Sequence, residues 1–384
     1  MEHNRVVELS SLIKPAKTIR CGDDYYPVLS MTMHDGLVFQ EEKFKKEVAS
    51  KNKADYKVVF KNQLVVGFPI DEGVLATQRI VDAGIVSPAY GIWDVDQSKI
   101  HPEFLEWALR SARALDYYRA KLRGSTARRR SLPTETFLKF TLPLPSISEQ
   151  MHILDIIHKL QVMLRSRQQQ LAKLDELVKA RFVEMFGDPV SNPYGFEKVP
   201  LSELAEIKIG PFGSLLHKED YIEGGHPLLN PSHIVDSNIV SDKKLTISDE
   251  KYNELEAYHL HFGDVVMGRR GEMGRCAVVM GEGFLCGTGS LLIRTRGEVT
   301  ADFIQKVISF PSFKKTIEDM AVGQTMPNLN VPIVSRFQVV KPPIDIQHRY
   351  YSFIGEVDNL KQSVQKNLDK LETLKKALMQ KYFG

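Results

Sequence analysis

The sequence predicts an α+β protein in which two mixed α/β globular units alternate with two long helices, arranged as an antiparallel pair with a pseudo-twofold internal repeat. The first observation behind this is self-similarity. A shift of 197 positions lays Glu149-Gln150 over Ile346-Gln347, Ile157 over Ile354, and Met185-Phe186-Gly187 over Tyr382-Phe383-Gly384. The same shift lays Leu171, Leu174 and Leu177 over Leu368, Leu371 and Leu374. Such a period is far too long for a solenoid and indicates a duplicated domain-plus-helix unit. The second observation is a heptad seam. Ile153, Ile157, Leu160, Leu164, Leu171, Leu174 and Val178 recur at alternating steps of four and three, with Arg167 in the remaining slot. Tyr350, Ile354, Val357, Val364, Leu368, Leu371 and Leu378 repeat the pattern, interrupted by Lys361 and Lys375. The third is length. A helix of about 36 residues runs for about 54 Å, whereas some 150 residues between the helices fold to a globule about 40 Å across. A parallel pair would force that globule to bridge the whole helix, and an antiparallel pair would not.

The expected organisation is a first unit at residues 1–147, a central helix at 148–187, a second unit at 188–344 and a C-terminal helix at 345–384. Val6–Leu12 opens the first unit, Tyr26–Met31, Val58–Phe60 and Leu64–Phe68 read as extended segments, and Pro102–Arg123 has helical spacing. Leu142-Pro143-Leu144-Pro145 leads into the central helix, with Ser146 or Ser148 as N-cap. Gly187-Asp188-Pro189 and Asn192-Pro193-Tyr194-Gly195 mark a turn-rich boundary. Beyond it Val199-Leu201-Ser202-Leu204 echoes Val7-Leu9-Ser10-Leu12, and Pro227-Leu228-Leu229-Asn230 echoes Pro27-Val28-Leu29-Ser30.

At 384 residues with 43% hydrophobic content the chain has material for two cores. Cys21, Cys276 and Cys286 are too few for a disulfide framework and lack metal-type spacing, so a reducing cytoplasm is the expected setting. No signal-like N-terminus or membrane-length apolar run is evident, so a soluble protein is expected. No phosphate-binding loop, dinucleotide fingerprint or H-E-x-x-H motif occurs. Asn192-Pro193-Tyr194-Gly195 lacks the second proline of an adenine-methyltransferase motif and reads as a turn. His217, His226, His233, His259 and His261 have no paired cysteine or carboxylate signature, so no metal site is expected. With no catalytic constellation, a non-enzymatic chain is the reading.

Net charge is only +3, but its distribution is uneven. Arg110, Arg113, Arg119, Lys121, Arg123 and Arg128–Arg130 face the single acid Asp116, an excess suited either to a phosphate backbone or to a solvated helix face. The loop Met267–Arg275 carries Arg269, Arg270 and Arg275 among glycines that let backbone approach a ligand. Ile209–Ser214 followed by His217-Lys218 is a second candidate loop, and Gly323–Asn328 a third, offering Gln324, Thr325 and Asn328. The candidate DNA contacts are therefore Arg79, Arg128, Arg129, Arg130, Lys218, His233, Arg269, Arg270, Arg275, Gln324, Thr325 and Asn328.

Taken together, Leu142–Pro145 with Glu149-Gln150, the leucine heptads ending at Met185-Phe186-Gly187, their second copies, Gly263–Val266 with Gly274-Arg275, and Val86–Tyr90 resemble the specificity subunit of a type I restriction-modification system. The resemblance spans essentially the whole chain. It implies two target recognition domains that each read half of a bipartite, asymmetric DNA site, with the helices setting the spacer. It also implies double-stranded DNA, two modification (methyltransferase) subunits and restriction subunits as partners. S-adenosylmethionine, ATP and Mg are then expected on those partners and not on this chain. Two alternatives remain at this point: a recognition subunit of another restriction-modification class, and a coiled-coil adaptor without DNA binding. By sequence matching, Val86–Tyr90 falls over Leu285–Gly289, and the arginine-rich loop falls near Gly67-Phe68-Pro69, where the arginines are missing. Arg79 and Arg128–Arg130 are the expected substitutes there.

Overall fold

A reciprocal cap starts the first long helix, Ile147–Phe186. Glu149 N–H donates to Ser146 Oγ at 3.3 Å, while the Glu149 carboxylate accepts from Ser146 N–H at 2.8 Å and from its hydroxyl at 2.7 Å. These bonds hold the Glu149 carboxyl below its ordinary pKa. The computed structural model describes residues 5–33, 35–43, 53–122, 132–321 and 328–384. It is mixed α/β, with a second helix of equal length at Ile344–Phe383. The chain divides into two compact units. The first comprises Met1–Gln170 with Val364–Gly384, and the second Leu171–Ser363.

In the first unit, an antiparallel sheet runs in the order Ile13–Pro15, Gly91–Val95, Leu64–Val66, Leu75–Thr77. Arg5–Glu8 pairs with Thr141–Leu144. Against these strands pack Pro102–Leu109 and Ala112–Lys121, through Phe104, Leu105, Leu109, Ala114 and Tyr118. The single helix expected over Pro102–Arg123 is thus two. Ser111 Oγ accepts from Ala114 N–H at 3.2 Å, and an N-cap in extended backbone ends one helix and starts another. Ile153, Leu154 and Ile157 from the first long helix and Phe383 from the second complete this core, with Phe383 5.0 Å from the Phe104 ring.

The second unit, taken by itself, has the antiparallel order Ala205–Ile209, Ser290–Thr295, Val265–Gly268, Cys276–Val278. Glu197–Pro200 pairs with Gln338–Lys341, and Ala301–Ser309 and Pro311–Met320 are its packed helices. A further five-stranded sheet includes one parallel pair, His226–Leu229 beside Phe284–Cys286. Phe182 and Phe186 pack edge-on against Tyr350, Phe186 packs edge-on against Phe303, and the Tyr350 hydroxyl donates to Val178 O at 3.2 Å. The end of one long helix therefore lies against the start of the other within this unit.

The heptad positions are the shielded ones. Ile153, Ile157, Leu160, Leu164, Val357, Val364 and Leu368 are buried. Leu171, Leu174, Val178, Ile354, Leu371 and Leu378 are half-buried. Lys361, one of the polar interruptions, reaches Asp175 at 2.6 Å inside the second unit. Off the seam, Val162, Leu177, Leu360 and Leu374 are exposed.

Each unit ties its long helix to the segment that starts its packed helices through a fully buried glutamine. Gln150 accepts from His101 N–H at 2.7 Å and donates to Pro145 O and Lys99 O at 2.9 and 3.0 Å. Gln347 accepts from Thr300 N–H at 2.9 Å and donates to Pro342 O and Glu298 O at 2.8 and 3.4 Å. A buried amide with all three groups bonded fixes the helix entry angle in either unit.

Candidate nucleic-acid interface

Strand Val265–Gly268 runs into the turn that the sequence singles out, and Gly268 N–H donates to Arg275 O at 2.8 Å to close it. Gly268 leaves only 3.2 Å between a would-be Cβ and Pro231, so a larger residue would push the turn away from its neighbour. Gly274, at φ +75°, is where the chain reverses. Met273 is buried and anchors the turn. Arg269 N–H donates to Gly289 O at 3.0 Å, and Arg269 O accepts from Leu329 N–H at 2.9 Å, so backbone on either side brackets the turn.

The three arginines of this turn differ in what holds them. Arg269 is half-buried, and its Nε donates to Asn328 Oδ1 at 3.2 Å. Burial, and next the charge of Arg270, pull its guanidinium below the ordinary value. Arg275 is tied to the Glu272 carboxylate at 2.9 Å and to Pro231 O at 3.2 Å. Glu272 also takes Lys314 at 2.9 Å, and the Lys314 and Arg275 bonds hold its carboxyl below the usual range. Arg270 is exposed, and among the described residues its side chain has no ion pair. It is the arginine of this turn best placed for a bidentate contact with a guanine edge or a phosphate.

The first unit builds the same turn with other side chains. Gly67 N–H donates to Val74 O at 2.8 Å, and Gly73 stands at φ +78°. Leu64 lies opposite both Thr77 and Trp93, as Val265 lies opposite both Val278 and Ile293. Gly67–Val74 therefore occupies in its sheet the position that Gly268–Arg275 occupies in the other. In place of Arg269-Arg270 stands Phe68-Pro69, with Phe68 exposed. Sequence matching hinted at missing arginines but did not single out Phe68.

Other candidate residues fall in differing places. Arg79 is bound to Glu103 at 2.7 Å and lies 3.6 Å from Glu106, whose carboxylate also accepts from Thr77 N–H and hydroxyl at 2.9 Å. Arg79 is thus exposed, with its guanidinium held by an ion-pair network on the Pro102–Leu109 helix. Glu103 extends that network to His158 on the long helix at 2.7 Å. His233 is buried, and its Nδ1 accepts from Asn230 N–H at 3.0 Å. Its imidazole is packed into the turn. Lys218 opens a short 3-10 turn, Lys218–Asp220, and is exposed. Asn328 is used to hold Arg269. Arg128, Arg129, Arg130, Gln324 and Thr325 lie outside the described residues. The strand register also moves one match. Val28 lies beside Ile85 and Leu228 beside Leu285, so Val86 answers to Cys286, one residue beyond the sequence matching.

Asn230, which sequence reading passed over, accepts from Gly289 N–H at 3.2 Å, and Gly287 leaves a would-be Cβ only 2.3 Å from its Oδ1. Only glycine allows this closeness. The buried Asp264 receives Arg294 at 2.7 Å, and this bond raises the Arg294 pKa. Among the described residues no group of His, Cys, Asp and Glu could hold a metal ion, and no helix is long and apolar enough to cross a membrane.

Residues 193–373 match the family model described as type I restriction modification DNA specificity domain. Over its whole length the chain is similar in fold to the HsdS subunit of Thermoanaerobacter tengcongensis, with a TM-score of 0.55 and 16% identity over 99% of this chain and 96% of that one. A chain from a structure of the complex assembly and conformational transition of the type I R-M system gives a TM-score of 0.65 at 17% identity, covering 99% and 97%. Among curated proteins, the type I restriction enzyme MjaVIII specificity subunit of Methanocaldococcus jannaschii is 19% identical over 63% of this chain and 61% of its own length. The putative MjaX specificity subunit of the same organism is 25% identical over 47% and 44%. The chain thus spans less than two thirds of either curated relative that it matches. By residues 193–373 it is similar to the DNA specificity domain of type I restriction-modification systems.

Proposed function

We propose that the chain is the non-catalytic, sequence-reading subunit of a type I restriction-modification complex and recognises a bipartite, asymmetric site on double-stranded DNA. Each unit acts as one target recognition domain, and the two long helices form the antiparallel spacer between them, the whole being a pseudo-twofold repeat. The observation that carries this is the shared turn, closed by the same 2.8 Å bond in both units and carrying different side chains in each. A common scaffold with diverged tips is what two readers of different sequences require.

In this reading Arg270 makes base or phosphate contacts, while Arg269 and Arg275 orient the turn. Two modification subunits that bind S-adenosylmethionine, and restriction subunits that use ATP and Mg, assemble with this chain and carry the chemistry. The setting is the cytoplasm. A hydroxyl-radical footprint of the full chain on a duplex carrying its site tests the proposal. Two protected patches around an unprotected gap are expected, with affinity falling steeply as salt rises. One continuous patch, or binding indifferent to both sequence and salt, would count against it.

A further inference from the structure

The turn Gly67–Val74 offers a ligand something that its counterpart does not. Phe68 is 58% exposed and stands at the mouth of a cavity of about 200 Å³. Val66, Ile70, Trp93 and Phe137 form its walls, and among the described residues no charged side chain lines it. A lone exposed phenylalanine is ordinary on a protein surface. One that extends an apolar cavity, on a turn whose counterpart carries Arg269-Arg270 at the equivalent positions, is not lone. Gly67 keeps the base of this turn packed, since a would-be Cβ there would lie 3.1 Å from both the Tyr90 ring and the Val74 side chain.

In the major groove the base edges are hydrogen-bond donors and acceptors with one apolar exception, the C5 methyl group of thymine. A phenylalanine beside an apolar cavity has nothing to exchange with guanine O6 or cytosine N4. It gains by covering a methyl group. We propose that Phe68 and the cavity beside it read a thymine in the half-site bound by the first unit, through its C5 methyl group. This rests on the DNA-reading function proposed above and adds that the two half-sites are read by unlike chemistry from equivalent turns of the fold. The first unit uses apolar cover from Phe68 on the turn where the second presents Arg270, one position beyond the equivalent Arg269.

The test uses the full chain and the duplex defined by its footprint. Every thymine in both half-sites, on either strand, is replaced singly by deoxyuridine, which differs only in lacking the methyl group. Equilibrium binding is then measured at fixed salt. One position should weaken binding about fourfold, the equivalent of ~0.8 kcal/mol for one buried carbon. In Phe68→Ala that sensitivity should disappear, and in Phe68→Leu, which keeps an apolar surface, part of it should remain. Specific binding that is indifferent to uracil at every position would overturn the inference alone, as would equal sensitivity in Phe68→Ala or half-sites without thymine. No preference for any duplex would overturn the DNA-reading function as well.

Discussion

Replacing Gln150 by Leu should loosen the junction between the first long helix and the segment that starts its packed helices while leaving the second unit unchanged. The side chain is fully buried, and its amide satisfies one backbone N–H, of His101, and two carbonyls, of Lys99 and Pro145. Leucine fills nearly the same volume and bonds to none of them. Each backbone group left buried without a partner costs about 1–3 kcal/mol, so a local loss of about 3–5 kcal/mol is expected after partial relaxation. Because two units share the chain, a single melting temperature would mix their responses. Amide hydrogen exchange separates them. Protection of the His101 amide should fall by roughly a hundredfold, about 3 kcal/mol, while that of Thr300, bonded to Gln347 at 2.9 Å, should stay as it was. Gln347→Leu should give the mirror result. A loss of less than about threefold at His101, or an equal loss at both amides, would refute the assignment of Gln150 as a local tie.

Arg270→Ala should weaken specific DNA binding by about 1–3 kcal/mol and relax discrimination at one base pair, read by selection of bound duplexes from a randomised pool. Glu272→Gln should release Arg275 and Lys314, raise affinity for non-specific duplex and steepen the salt dependence by roughly one unit of slope. The ionised Glu272 carboxylate is the bonded form and its pKa is lowered. The tether is therefore complete above the ordinary carboxylate pKa and is lost as pH falls through the lowered folded value. Wild-type Arg275 side-chain NMR signals should show that loss, and Glu272→Gln should show no such transition. Inserting one heptad into both long helices adds about 10 Å of rise, and should lengthen the unspecific gap in the DNA site by about three base pairs with both half-site sequences unchanged. An altered half-site beside an unaltered gap would contradict the spacer role.

What sequence alone revealed follows from periodicity. The heptad slots, including those held by Arg167 and Lys361, coincide with the shielded face because 3.5-residue spacing admits one face only. The helix start was legible as a choice of two serines, Ser146 or Ser148, before an apolar run, and the bonds to Glu149 select Ser146. Ser111 was not legible, since a serine inside a helical pattern gives no sign of whether its hydroxyl will cap or face water. The fates of the candidate contacts were hidden too. Arg79 and His233 were candidates by residue type, which gives no sign of their bonds to Glu103 and to the backbone of Asn230. Partners far apart in sequence cannot be inferred from residue type. Phe68 gained meaning only when strand register set it against Arg269 on an equivalent turn.

The most direct test is a base-resolution map of methylated adenine in cells that carry this chain together with the modification subunits proposed for it. One asymmetric motif is expected, two specified segments around an unspecified gap, which disappears when the gene for this chain is deleted. Methylation at a continuous motif, or a map unchanged by the deletion, would contradict the split-site reading on which the function rests.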